Sequence, residues 1–508
     1  MSRVTLRKVF GNEMAQEDPN FLEYALIRNE YLTPLSDIDS KVIILNAARG
    51  SGKSGLLISL SENLNKQKDT VVINQDYRDM TFPRGELSVN EAINYWKNTI
   101  LSKVVSHIGQ NKGWAMLDDN ITAVELAESL GVKNKNLLTT ILDRLKFKGS
   151  PVEKCDFDGN IPIEKMSRIV ATSENKYWLL LDEMDDIYDN GDEINLLIGL
   201  LQAVAYLAVR LENVWIRVTI RPHILTSLRV SNGTIQKLNE HELSLSWSKE
   251  QLIEVIAKRL DFYQKKCSSE NQFLLDLAMV DANKQKESEK TRLISNYFED
   301  FDMSFSEEST SGYRAFATLC FYRPRWLIEF CKEVRKITSE GKKSNLYHYK
   351  RAFVPFGNRR IQFISGEFNK TIPYIEAAMN ALIAVGVSGF GKSKKLRSVI
   401  INQIIKTNIV EAPENAHQRV ALEIAKNMYR TEFLRGKSKI SGAGGYHRFY
   451  YFVDRPDLLS SWQQEADILW EIHPTFQRAF NLIDSQTYKV SEDVKLVGKK
   501  IQGEEGVF

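Results

Sequence analysis

Residues 41–57 read KVIILNAARGSGKSGLL. A β-branched apolar run, a glycine-containing loop ending in Gly-Lys-Ser, and apolar residues resuming at helical spacing predict strand, loop and helix in that order. This is the context a phosphate-binding loop needs, because backbone N–H groups must wrap the phosphates while the following helix points its positive end at them. Within AARGSGKS (47–54), Lys53 is placed to reach the β- and γ-phosphates and Ser54 to offer its hydroxyl to Mg²⁺. Ala48, Arg49, Gly50, Ser51, Gly52 and Gly55 complete the expected nucleotide contacts. Ala47 stands where the consensus has its first glycine, and Arg49 is open to two roles, toward nucleotide or toward a neighbouring subunit.

A second stretch, GVSGFGKS (386–393), matches the phosphate-loop consensus literally. It follows PYIEAAMNALIAV, in which Ile375, Met379, Leu382 and Ile383 fit a helix face rather than a strand. No apolar run ending in Asp-Glu comes after it; FYYFVDR (449–455) puts Arg455 where the acid would stand. The stretch is therefore expected to be a glycine-rich turn between helices and not a nucleotide site.

The rest of the N-terminal half extends the first pattern. DTVVINQDY (69–77) closes a βαβ unit, and YWLLLDE (177–183) reads as a strand buried on both faces that ends in acids. Asp182 is expected to hold Mg²⁺ through water, and Glu183 to act as base toward the attacking water. LLIGLLQAVAYLAV (196–209) is too short for a bilayer and reads as a core helix, followed by a strand in NVWIRVTIR (213–221). The fold class is α/β: a P-loop NTPase core with a parallel sheet, then a helical lid, then a winged-helix domain. The expected boundaries are an arm over 1–35, the core over 36–235 with a helical insertion near 89–148, the lid over 236–345 and the winged helix over 346–508. The charged stretch 281–292 is read as a loop.

The chain has 508 residues, too many for one core, and a net charge of +3. Its basic excess lies in the last third, where helices and two β-prone runs around a basic, glycine-rich tip describe the winged helix. Lys392, Lys394, Lys395 and Arg397, with Arg435, Lys437, Lys439 and Arg448 in the wing, are candidates to face phosphates of double-stranded DNA. Docking of a protein partner is the equal alternative. Cys155, Cys267, Cys320 and Cys331 form no C-x-x-C pair, the N-terminus has no apolar signal region, and a cytoplasmic protein without a membrane segment is expected. Seven dispersed histidines suggest no second catalytic centre, and His473 reads as a turn residue before Pro474.

Taken together, AARGSGKS, LLLDE, the strand ending TIRP, RPRWL in the lid and a C-terminal winged helix resemble the prokaryotic AAA+/STAND-class P-loop ATPases, which share their layout with origin-recognition ATPases. The resemblance implies an ATP- and Mg²⁺-dependent conformational switch that can form homo-oligomers, with the winged helix binding DNA or a partner. It further implies a setting in anti-phage or mobile-element defence, beside an effector such as a nuclease from a neighbouring gene. Carried over, Lys53, Ser54, Asp182 and Glu183 form the hydrolysis set, Thr219 or Arg221 a first γ-phosphate sensor, and Arg325 a second, with Arg323 as its neighbour in FYRPRW. Ala47 and the want of a clear arginine finger are the departures. ATP is expected over GTP because no N-K-x-D motif occurs and because the family uses ATP.

Overall fold

A computed structural model describes residues 9–24, 29–83, 85–111, 122–124, 126–127, 161–189, 194–270, 293–299, 302–305, 308–311, 314–339, 342–439, 447–459 and 467–483. The chain divides into two compact units, Met1–Phe298 with Cys320–Lys343, and Glu299–Leu319 with Ser344–Phe508. The remainder of the expected insertion (112–121, 125, 128–148), Cys155, the charged stretch 281–292 and the wing tip 440–446 lie outside the described residues.

In the first unit the order is β1 (Val42–Asn46), α1 (Lys53–Leu64), β2 (Thr70–Asp76), α2 (Val89–Asn111), α3 (Ile163–Ala171), β3 (Lys176–Asp182) and α4 (Ile194–Arg210). It continues through β4 (Val214–Ile220), α5 (Pro222–Ser231), β5 (Glu242–Ser244), α6 (Lys249–Glu270) and α7 (Pro324–Ile337). The five strands form a parallel sheet in the order β2-β3-β4-β1-β5. Side chains of a strand alternate between faces, so β3 serves two cores at once. Tyr177, Leu179 and Leu181 join α2 and α4, while Trp178 and Leu180 join Leu56, Leu57 and Leu60 of α1. Trp178 stacks on Trp215 of β4 with ring centroids 5.4 Å apart.

The register decides where function can sit. Asp76 pairs with Asp182, Leu181 with Val218, and Leu45 with Thr219, so β1 to β4 all end at one edge. Open parallel sheets bind ligands outside the carboxyl ends of their strands. Strand β5, three residues long, was invisible in the sequence pattern, and it extends the sheet beyond β1.

The second unit begins with an antiparallel hairpin, β6 (Asp302–Phe305) and β7 (Glu308–Ser311). It then carries α8 (Leu346–Phe368), α9 (Ile375–Ala384), β8 (Gly389–Lys392), α10 (Ser393–Ile400), α11 (His417–Arg430), β9 (Leu434–Lys439), β10 (His447–Tyr450), β11 (Leu469–Ile472) and α12 (Pro474–Ala479). Where the sequence suggested helices followed by a β-hairpin, the observed order is helix, strand, two helices and a hairpin. The sheet order β10-β9-β11-β8 adds β11 between the hairpin and β8. The glycine-rich turn expected at 386–393 is corrected here: Gly389–Lys392 is a strand antiparallel to β11, with Phe390 buried. Pairing with β11 supplies partners for its backbone, which the local sequence could not reveal. His473 caps α12, its Nδ1 accepting from the Thr475 N–H, in keeping with a structural turn residue. Among the described residues no helix is long and apolar enough to cross a membrane.

Candidate nucleotide-binding site

The loop between β1 and α1 is built as its sequence suggested. Gly50 (φ +85°) and Gly52 (φ +96°) lie in the left-handed region, which side-chain-bearing residues enter only with strain. Ala47 is fully buried and has no such backbone requirement, which explains why alanine serves where the consensus has glycine. Lys53 is buried at the first turn of α1, and its Nζ donates to the Ala47 carbonyl at 2.6 Å. Trp247, just after β5, donates from Nε1 to the Ser51 carbonyl at 2.7 Å and braces the loop from outside.

Opposite the loop, Asp182 ends β3 and Glu183 follows it with φ +54°, a costly conformation for a non-glycine residue. Two acceptors hold it there: the Glu183 N–H donates to Asp182 Oδ1 and to Thr219 Oγ1, both at 3.0 Å. The Thr219 hydroxyl, wholly buried on the intervening β4, in turn donates to Asp182 Oδ1 at 2.8 Å. Thr219 therefore ties the two acids together. Burial raises the Glu183 carboxyl above its ordinary pKa, with the Asp182 and Asp186 charges adding to the rise and the Arg78 guanidinium, 3.3 Å away, opposing it. Arg78 is itself anchored by Asp76 through its Nε and Nη2, at 2.9 and 2.8 Å.

Arg221 is, with Thr219, one of the two residues expected as a first sensor. It is buried and committed to Asp185, donating from its backbone N–H (2.8 Å) and from Nε (2.6 Å), with Nη2 3.1 Å from Asp186. Burial pushes Asp185 up, but Arg221 and Lys53 outweigh it and hold the carboxyl below its ordinary pKa. No motif marks the acids Asp185 and Asp186 in the sequence; the only signal is their place in LLLDEMDD, one turn beyond the Asp182–Glu183 pair.

A single cleft is lined by Arg49, Gly50, Gly52, Lys53, Ser54, Gly55, Glu183, Asp185, Asp186, Arg221 and Arg325. Of the two arginines in FYRPRW, Arg325 lines it, while Arg323 is buried over the Trp326 ring at 4.2 Å. The N-terminal arm supplies the other wall: Glu13, Gln16, Phe21 and Tyr24, facing Trp247, Val255 and Ile328. A Cβ on Gly55 would lie 2.8 Å from the Phe21 ring, so the arm packs directly on the first turn of α1. Tyr24, Asp18 and Arg259 form a buried cluster behind it, with the Tyr24 hydroxyl bonded to Asp18 and Arg259 stacked on the Tyr24 ring. These arm residues carry no motif, and only the folded chain reveals them.

The residues fit a nucleoside triphosphate with Mg²⁺. Loop amides, Lys53 and the start of α1 suit phosphates, the Ser54 hydroxyl suits the metal, and aromatic and aliphatic side chains suit a base. Among the described residues no three His, Cys, Asp or Glu side chains converge as a metal cage. A nucleotide-borne Mg²⁺ needs none, since phosphates and water fill most of its sphere.

The wing cations separate into two groups. Lys392, Lys394, Lys395, Lys439 and Arg448 are exposed and Arg397 is half-buried. Arg435 and Lys437 are buried, correcting their assignment to a phosphate-facing surface: Arg435 Nε donates to Glu471 Oε1 at 2.6 Å, and Lys437 Nζ lies 3.3 Å from Glu471 Oε2. Strand β11 brings Glu471 between them. Likewise Ser393, the last residue of GVSGFGKS, is spent structurally, its Oγ accepting from Trp470 Nε1 at 3.0 Å. Removing one member of a buried ion pair leaves an uncompensated charge, so Glu471→Ala is expected to destabilise the full-length protein by about 3–5 kcal/mol, measured by denaturant unfolding.

The loop, sheet and acidic strand define a P-loop NTPase core. No protein-family model matches the chain. The transposon gamma-delta 80.3 kDa protein of Escherichia coli K12 is 24% identical over 279 residues, 49% of this chain and 39% of that protein. The match thus spans well under half of that relative. Among solved structures, Cdc6p of Pyrobaculum aerophilum (10% identity, TM-score 0.30) overlaps 94% of this chain and 98% of its own. The Aeropyrum pernix Orc1 protein in complex with DNA (11%, TM-score 0.34) overlaps 88% and 94%, and Drosophila ORC bound to DNA (13%, TM-score 0.31) overlaps 85% and 93%. At these scores the likeness is loose, and the class rests on the sheet and loop themselves.

Proposed function

We propose that the chain is a Mg²⁺-dependent ATPase that acts as a conformational switch. The observation that carries this reading is that Glu183 lines one cleft with Lys53 and Ser54 and is tied to Asp182, at the same sheet edge, through Thr219 of the neighbouring strand. In this reading Lys53 would neutralise the β/γ-phosphates, Ser54 and Asp182 would hold Mg²⁺, and Glu183 would take a proton from the attacking water. When bound, the metal supplies charge neutralisation between the phosphates. Thr219 positions the two acids. Arg221 steadies Asp185 and Asp186 at the cleft floor instead of reaching nucleotide, and Arg325 is the lid cation. The cleft walls formed by the arm and by α7 would enclose the base, which would give nucleotide state a route to the arrangement of these elements.

Phosphate release from ATP by the full-length protein, with and without Mg²⁺, tests this. Release that depends on Mg²⁺ supports it; an absence of both ATP binding and release sinks it. A regulatory output through double-stranded DNA is a second reading, favoured by the exposed Lys392, Lys394, Lys395, Lys439 and Arg448. It calls for salt-sensitive DNA binding. We further infer a setting in anti-phage or mobile-element defence, with a neighbouring effector protein as regulated partner and homo-oligomers as working form. The family resemblance supports this, and the partial match to a transposon protein supports the link with mobile elements.

A further inference from the structure

We propose that Asp185 is a positioning residue for hydrolysis: locked to Arg221, it fixes the turn that begins at Glu183 and so aims the Glu183 carboxylate into the cleft. The proposal deepens the ATPase reading above and rests on it.

Backbone pairing between β3 and β4 last joins Leu181 to Val218. Beyond that point the chain turns: the Asp186 N–H donates to the Glu183 carbonyl at 3.0 Å, and the Tyr188 N–H to the Asp185 carbonyl at 3.1 Å. Where the ladder stops, side-chain acceptors take over its work. Thr219 Oγ1 accepts the Glu183 N–H at 3.0 Å, and Asp185 Oδ2 accepts the Arg221 N–H at 2.8 Å. Residue 183 is thus pinned to 219 and residue 185 to 221, so the turn follows the end of β4 in step. Met184, between the two pins, is fully buried in the core. Arg221 then closes on Asp185 a second time, with Nε 2.6 Å from Oδ2 and Nη2 3.1 Å from the carbonyl. One guanidinium holds both the side chain and the backbone of Asp185, and both residues are buried.

Glu183 needs the second pin. Its φ of +54° is costly and persists only where the surroundings over-determine it. Thr219 grips the N–H on the upstream side of that dihedral, and the course of the chain downstream is left to the Asp185–Arg221 pair. The charges around the turn suit this role. Burial opposes ionisation of Asp185, while Arg221 and Lys53 favour it and prevail. Asp186 beside it faces Arg221, Arg49 and Lys53, and Glu183 faces Arg78. A carboxylate kept ionised and already engaged by a guanidinium makes a fixed strut, whereas the base it supports must stay free to take a proton within hydrogen-bond reach of its water.

The test is single-turnover phosphate release from ATP by the full-length protein, with ATP binding measured in parallel by equilibrium dialysis. Asp185→Asn keeps the shape of the side chain and is expected to slow release on the order of 10–10²-fold, the scale of a misplaced catalytic group, without loss of ATP affinity. In a Glu183→Gln background the same change should cost less than about 2-fold, because a residue that acts through the base has nothing left to position. If Asp185→Asn does not fold by circular dichroism, Asp185→Asn with Arg221→Gln removes both buried charges and takes its place in the same comparison. Equal losses in the two backgrounds would show a role independent of Glu183 and would overturn the proposal. So would a variant as fast as wild type, or a loss of ATP affinity in step with the rate. A wild type that releases no phosphate would instead remove the ATPase reading, and this proposal with it.

Discussion

Lys53→Ala is expected to abolish ATP turnover, with a loss on the order of 10³-fold or more, because the loop amides alone cannot neutralise the β/γ-phosphates as charge moves between them. Lys392→Ala should turn over ATP at the wild-type rate without DNA. The contrast is sharp because both lysines stand in Gly-Lys-Ser sequences. Lys53 follows a buried parallel strand and opens a twelve-residue helix with its ammonium on the Ala47 carbonyl. Lys392 ends an antiparallel strand, exposed beside Asp467 at 3.5 Å, and the serine after it is bonded to Trp470. Phosphate release by the two variants decides it. A dead Lys392→Ala with an active Lys53→Ala would refute the assignment of the site.

Glu183→Gln is expected to cut kcat by about 10²–10⁴-fold with little change in KM, as removal of a general base does when ground-state binding is untouched. The amide keeps the shape of the side chain, so the strained backbone at Glu183 and its bonds to Asp182 and Thr219 should survive. A pH profile adds a second readout. The base works only when ionised, and the Glu183 carboxyl sits above its ordinary pKa through burial and the neighbouring acids. Turnover should therefore be lost as pH falls through a value above the usual glutamate range. Arg78 is the charge that opposes the rise, so Arg78→Ala should move this acid limb to still higher pH. A limb that stays in place would remove Arg78 from the electrostatics of the site; a Glu183→Gln protein with wild-type kcat would remove Glu183 as base.

Much of the site could be read before folding because a phosphate loop is a local device. Its strand, glycines, lysine and helix are contiguous, and the acidic strand announces itself as an apolar run ending in Asp-Glu. The same directness failed for Arg435 and Lys437, whose neighbourhood reads as a basic surface, and nothing local marks Arg217 and Arg221 as buried. Arg217 is wholly buried in β4, and its guanidinium is satisfied by the Leu35 and Asp37 carbonyls at 2.7 and 3.1 Å. Arg221 is claimed by Asp185, and Arg435 by Glu471. A charge can enter a core only when a partner waits there, and in each case the partner is remote in the sequence.

By itself the sequence determined an α/β P-loop core, the order of its first four strands along the chain, and the candidates for the loop lysine and the acidic pair, because periodicity and loop chemistry act over a few residues. The tertiary structure alone decided which strand lies beside which, and so placed Thr219 between the loop and the acids. It also drew β5 and β11 into their sheets, turned Phe21 and Tyr24 into a wall of the cleft, and set Arg325 against Gly50. These depend on long-range burial and pairing, where each backbone group and buried charge takes the partner that the whole fold provides.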